Sequence, residues 1–216
     1  MTRGKSLGVL TTLIQIIMPT KKTATKKELA FEERMAKQRA KRGFSDRDVW
    51  SIDYWFSETI SPMLKQLAKK KQGFQMLDEK GDFTHKEKLS EEDYKTFDKR
   101  WTDMLLHMAF LADEMSETNC SMKNPYDKDF HRICRAFDKK YGSFGEKLLT
   151  DEDKKESQEK GYTKCYMPDD DPIHGEENRK IMDLHSDYEK KIAEYRDKCK
   201  DEFFTLFSKY FRCLWD

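Results

Sequence analysis

The chain has 216 residues, of which 38% are charged, and a mean hydropathy of −0.97. That polarity excludes a bundle of membrane spans, and an aromatic share of 12% excludes a disordered chain. A net charge of +1 also excludes a protein whose whole surface binds nucleic acid. The balance hides two opposed regions. Residues 1–42 carry 11 Lys/Arg against 3 Asp/Glu, and residues 151–177 carry 4 against 10.

Residues 1–18 place two basic residues before an apolar run from Leu7 to Met18. The run resembles the start of an export signal, but it is too short to span a bilayer and no small-x-small cleavage site follows. The preferred expectation is a loose or peripherally packed extension, with Met18 as an alternative start. Five scattered cysteines, Cys120, Cys134, Cys165, Cys199 and Cys213, contain no CxxC pair. They fit reduced thiols in a cytosol.

The segment from Lys26 to Arg42 predicts a charged helix closed by Gly43. Residues 44–67, FSDRDVWSIDYWFSETISPMLKQL, predict the organising helix. Ser45 is a good N-cap, and Asp48 stands at the return position of a capping box. Val49, Ile52, Phe56, Ile60, Met63, Leu64 and Leu67 then recur at helical spacing. Asp53 falls inside that stripe, so burial with a polar partner is expected. Pro62 predicts a kink near residues 57–61.

Residues 74–89 read as a polar loop. Ser90 and Asp93 repeat the capping box and start a helix over 91–117. Leu106 and Phe110 lie opposite its main stripe, which predicts a helix covered nearly all round. Asn124-Pro125 starts a shorter helix to residue 141. Residues 146–178 predict an acidic loop insertion, with a solvated helix over 146–160 as the alternative for its first part. Its Asp169, Asp170, Asp171 and His174 lack the spacing of a calcium loop. The last helix spans about 176–215 and ends in FFTLFSKYFRCLWD, for which core burial is the preferred expectation.

The expected fold is all-α, a bundle of three main helices plus one or two shorter flanking helices. The expected division is a basic extension at 1–42 and a single domain at 43–216. RGFSDRDVWSIDYWF near the start and LFSKYFRCLWD at the end resemble a family of small helical proteins of tailed bacteriophages that carries no assigned activity. The resemblance implies a phage origin and a host-cytoplasm location.

No Gly-rich phosphate loop, nucleophile elbow, HExxH or Cys/His ligand set is present, so no catalytic residue, metal ligand or cofactor is assigned. The leading expectation is a non-enzymatic accessory protein that binds a host or phage protein, in counter-defence or scaffolding. Asp46, Trp50, Asp53 and Trp55 are its candidate binding residues. One alternative is a metal-dependent helical nucleotide hydrolase using Asp46 and Asp53. Another is a weak nucleic-acid binder through residues 21–42, with Lys26, Lys27, Arg39, Lys41 and Arg42 touching phosphates.

Overall fold

A computed structural model describes residues 25–215; the apolar run at 7–18, Lys21, Lys22 and Asp216 lie outside the described residues. The described chain is all-α. Its β structure is a single bridge between Leu77 and Phe83. No described helix is long and apolar enough to cross a membrane. The chain falls into two compact units, one up to Pro62 and one from Met63. This differs from the expected boundary at 42/43, and the division falls within a helix.

In the first unit, α1 spans Lys26–Arg42 as its pattern predicts. The Thr25 hydroxyl accepts from the Glu28 amide at 3.3 Å, and the Glu28 carboxylate accepts from the Thr25 amide at 2.6 Å. Gly43 ends the helix with φ +85°, a conformation that favours glycine, and donates its N–H to the Arg39 carbonyl. The organising helix expected over 44–67 is two helices, α2 (Asp46–Trp50) and α3 (Ile52–Lys70). The break is at Ser51, where φ −142° and ψ 70° leave the helical region. The Ser51 carbonyl then accepts from the Trp55 amide at 3.0 Å and opens the first turn of α3. The kink expected near 57–61 is absent as an interruption. Pro62 sits inside α3, where a missing N–H removes one ladder bond without ending the helix.

In the second unit, α4 (Glu91–Glu114) packs along α7 (Gly175–Tyr210), and α5 (Asp127–Tyr141) packs against α7. The 36 residues of α7 extend about 54 Å. Phe97, Trp101, Leu105, Met108, Leu111, Ile192, Phe203 and Tyr210 fill the core. Leu106 and Phe110 are exposed, so α4 buries one stripe rather than its whole circumference. The aromatic end of the chain divides in the same way. Phe203 and Tyr210 are fully buried, while Phe204, Phe211 and Trp215 are exposed.

Two segments expected as loops are anchored. Around residues 76–84 a tight hairpin forms, with Asp78 N–H to Asp82 O at 2.9 Å and Thr84 N–H to Met76 O at 2.9 Å. Gly81 takes φ +78° there, and its carbonyl accepts the buried Tyr210 hydroxyl. The acidic insertion contains α6 (Asp151–Lys160), capped by Thr150 and Asp153. Asp153 is 6% exposed and accepts from the Thr150 amide, Tyr166 hydroxyl and Lys164 ammonium at 2.9, 2.9 and 2.5 Å. Asp171 is also buried, and accepts from the Ile173 and His174 amides.

Candidate functional site

The sequence-assigned binding residues gather around α2. Two helix-end interactions hold this five-residue helix against α1. Arg39 forms a fork with the buried Asp48: Nε to Oδ2 is 2.8 Å and Nη2 to Oδ1 is 2.5 Å. Asp48 also accepts from the Ser45 amide at 2.7 Å, which is the acid half of the expected capping box. The Ser45 side chain faces the Asp48 amide and completes the box. The Arg39 guanidinium, opposed by burial and reinforced by Ser45, holds the Asp48 carboxyl at about 2.

The second interaction uses Asp46, which ion-pairs with Arg42 and accepts from Gln38 Nε2 at 2.6 Å. Arg47 reaches Glu32 at 2.9 Å. Arg39 and Arg42 are therefore engaged with carboxylates, whereas Lys26, Lys27 and Lys41 are exposed. Phosphate contact through all five cations would require breaking two of these pairs.

These pairs present an apolar edge. Trp50 is 90% exposed at the last position of α2, flanked by exposed Val49, Ile52 and Tyr54. Trp55 is half-buried. Asp53 is exposed, contrary to the burial expected from the stripe. The Ser51 break explains the difference: counting 100° per residue from Ser45 fails when the helix is re-initiated. Asp53 then lies in the first turn of α3, where an exposed acid suits the positive helix end.

A different constellation lies in the second unit, where the start of α5 meets the middle of α7. His185 and Glu189 share one face of α7 at a four-residue step, and Asp127 is the first residue of α5. His185 Nε2 stands 3.0 Å from Asp127 Oδ1 and 3.9 Å from Glu189 Oε1. One ligand atom from each of the three lies within 4.8 Å of the other two. Buried Asn124 donates to the His185 carbonyl at 2.9 Å and to Glu189 Oε1 at 2.8 Å. The Phe130 ring stacks on the imidazole with centroids 4.1 Å apart and planes 12° from parallel.

Sequence reasoning missed this cluster. The four-residue spacing of His185 and Glu189 was a usable signal, but Asp127 is 58 positions from His185. Elsewhere, His107 pairs with Glu202 at 2.7 Å, consistent with a surface residue. The acids after Pro168 work as turn caps and ion-pair partners, with Asp170 accepting from the Met167 amide and Asp169 lying 3.6 Å from Arg179. Buried Glu114 is satisfied by the Ser121 amide and hydroxyl at 3.0 and 2.8 Å. Burial, with bonds to Cys199 and Glu114, pushes the Tyr195 phenol well above its usual range. No family model, curated protein or solved structure matches the chain.

Proposed function

We propose that this chain is a non-enzymatic accessory protein of a tailed bacteriophage, binding a host or phage protein in the host cytoplasm through its Trp50 edge. The observation that carries this reading is the 90% exposure of Trp50 between exposed Val49, Ile52 and Tyr54. An indole held outward costs apolar hydration in the free protein and loses that cost on docking. Its position is fixed by the ion pairs that tie α2 to α1, so little ordering is required on binding. Tryptophan at the centre of a protein contact is also the side chain whose truncation most often weakens binding strongly. The unpaired state of all five cysteines supports the intracellular part of the reading.

The hydrolase reading has weaker support. Asp46 is already bonded to Arg42 and Gln38, and Asp53 is an isolated exposed acid of the first turn. The test is affinity capture from infected cells with the wild-type chain and with Trp50→Ala. A protein recovered by the wild type and depleted by the substitution supports the proposal. Removal of a central tryptophan anchor costs at least about 2 kcal/mol, or roughly thirtyfold in affinity. Equal recovery by both chains, or no reproducible protein with either, overturns it.

A further inference from the structure

We propose that Asp127, His185 and Glu189 form a binding site for one divalent first-row transition-metal cation. This inference is independent of the Trp50 reading and concerns the second unit alone.

The first argument is convergence. Three potential ligand atoms, one imidazole nitrogen and two carboxylate oxygens, lie within 4.8 Å of one another. A cation bound at ordinary Zn–N and Zn–O lengths of about 2.0–2.2 Å spans such a gap with small side-chain rotations. One imidazole nitrogen cannot hydrogen-bond both carboxylates at once. A single imidazole N–H can donate to Asp127 at 3.0 Å, but Glu189 at 3.9 Å is beyond hydrogen-bond range.

The second argument is charge. Several acids of the described chain meet cations directly: Asp48 meets Arg39, Asp113 meets Lys65, and Asp153 meets Lys164. Among the described residues, neither Asp127 nor Glu189 ion-pairs with a lysine or arginine. The one ion-pair partner of each is the same His185 nitrogen, and Glu189 Oε1 also accepts from the neutral Asn124 amide. A divalent ion neutralises both acids while the histidine binds through its neutral imidazole.

The third argument is support for the ligands. Phe130 fixes the plane of the imidazole, and Asn124 fixes both the backbone of His185 and the carboxylate of Glu189. Asn124 is itself oriented, since its own oxygen accepts the Tyr126 amide at 2.9 Å. The His185 side chain is 15% exposed, whereas Asp127 and Glu189 are about half exposed. The site is therefore open on its carboxylate side, where water completes the coordination.

The ligand set defines the class of ion. Magnesium and calcium favour all-oxygen sites, while an imidazole with two carboxylates suits manganese, iron, cobalt, nickel or zinc. Manganese is the best probe, because thiols such as the exposed Cys165 compete for zinc and bind manganese poorly.

The experiment titrates the full chain with Mn²⁺ and follows water-proton relaxation, with thermal melting as the folding control. One Mn²⁺ per chain is expected, with a rise in melting temperature on addition of metal. Glu189→Gln and Asp127→Asn preserve shape at half-exposed positions. Each is expected to lower affinity by more than about tenfold, the scale on which loss of even an outer hydrogen-bond partner acts. His185→Ala is expected to abolish binding, and Cys165→Ser to leave it unchanged. Absence of binding at millimolar Mn²⁺, or affinity unchanged in both Glu189→Gln and Asp127→Asn, overturns the proposal.

Discussion

The Arg39–Asp48 pair is the strongest test of how α2 is held in place. Five residues are too few for a helix to persist on local bonds alone, so α2 depends on its attachments. The informative perturbation is Asp48→Asn, which keeps an acceptor for the Ser45 amide but removes the charge facing Arg39. The Asp48 carboxyl sits at about 2, against an ordinary value of 3.8. Taken whole, that depression corresponds to about 2.4 kcal/mol favouring the ionised, folded form. The Arg39 side chain is 33% exposed, and solvent screening reduces the useful figure to about 1–2 kcal/mol. A depressed acid stabilises above its unfolded value and loses that contribution as pH falls through the folded one. The contribution is therefore complete above about pH 4 and fades towards pH 2. Amide hydrogen exchange of residues 47–50, compared between the two chains at matched pH, reads it directly. At pH 6 the variant should open roughly five- to thirtyfold more often, and the two chains should converge near pH 2. Equal protection at pH 6 refutes the claim that this ion pair holds the tryptophan edge in place.

Two further substitutions test the second unit. Tyr210→Phe removes the hydroxyl that donates to the Gly81 carbonyl in a fully buried position, so a loss of about 1–3 kcal/mol and a melting temperature lower by several degrees are expected. An unchanged melting temperature discounts the bond. Asp153→Asn should loosen residues 161–166 without unfolding α4 and α7. The Lys164 ammonium, the Thr150 amide and the Tyr166 hydroxyl keep the Asp153 carboxyl well below its usual range. Limited proteolysis should show faster cleavage after Lys160 or Lys164 at neutral pH, with the difference shrinking as pH falls below the ordinary carboxylate range.

Local chemistry was the legible part of this sequence. Gly43 as the end of α1, Ser90 with Asp93 at the start of α4, and the stripes of α4 and α7 each declare themselves within a few residues. Two kinds of feature were not legible. The first is a break without a breaker. Ser51 interrupts a helix-compatible pattern, while Pro62, the residue chemically suited to break it, lies inside a continuous helix. The second is a contact between distant segments. Gly81 and Tyr210 are separated by 129 positions, and nothing near residue 81 announces that its carbonyl caps a buried phenol. The 74–89 segment therefore read as a loop although it closes over the end of the core.

The fate of the acids connects these observations to function. Reading from sequence, Asp46 and Asp53 stood out as the carboxylates with chemical potential. In the structure the buried acid of that region is Asp48, the return residue of a capping box and partner of Arg39. Asp153 repeats the pattern: it follows a threonine cap by three residues, is buried, and is held by a lysine. Strong depression of a carboxyl here marks a helix start tied to a neighbouring chain segment, where such shifts are often taken to mark catalysis. An acid already surrounded by donors has few lone pairs left for substrate or metal. Asp127 and Glu189 carry fewer donors: His185 Nε2 stands beside both, Asn124 adds one bond to Glu189 Oε1, and neither meets a lysine or arginine among the described residues. Burial and a depressed carboxyl therefore identify acids that hold the fold. The contrast between satisfied and unsatisfied charge directs the search for ligand chemistry to the junction of α5 with α7.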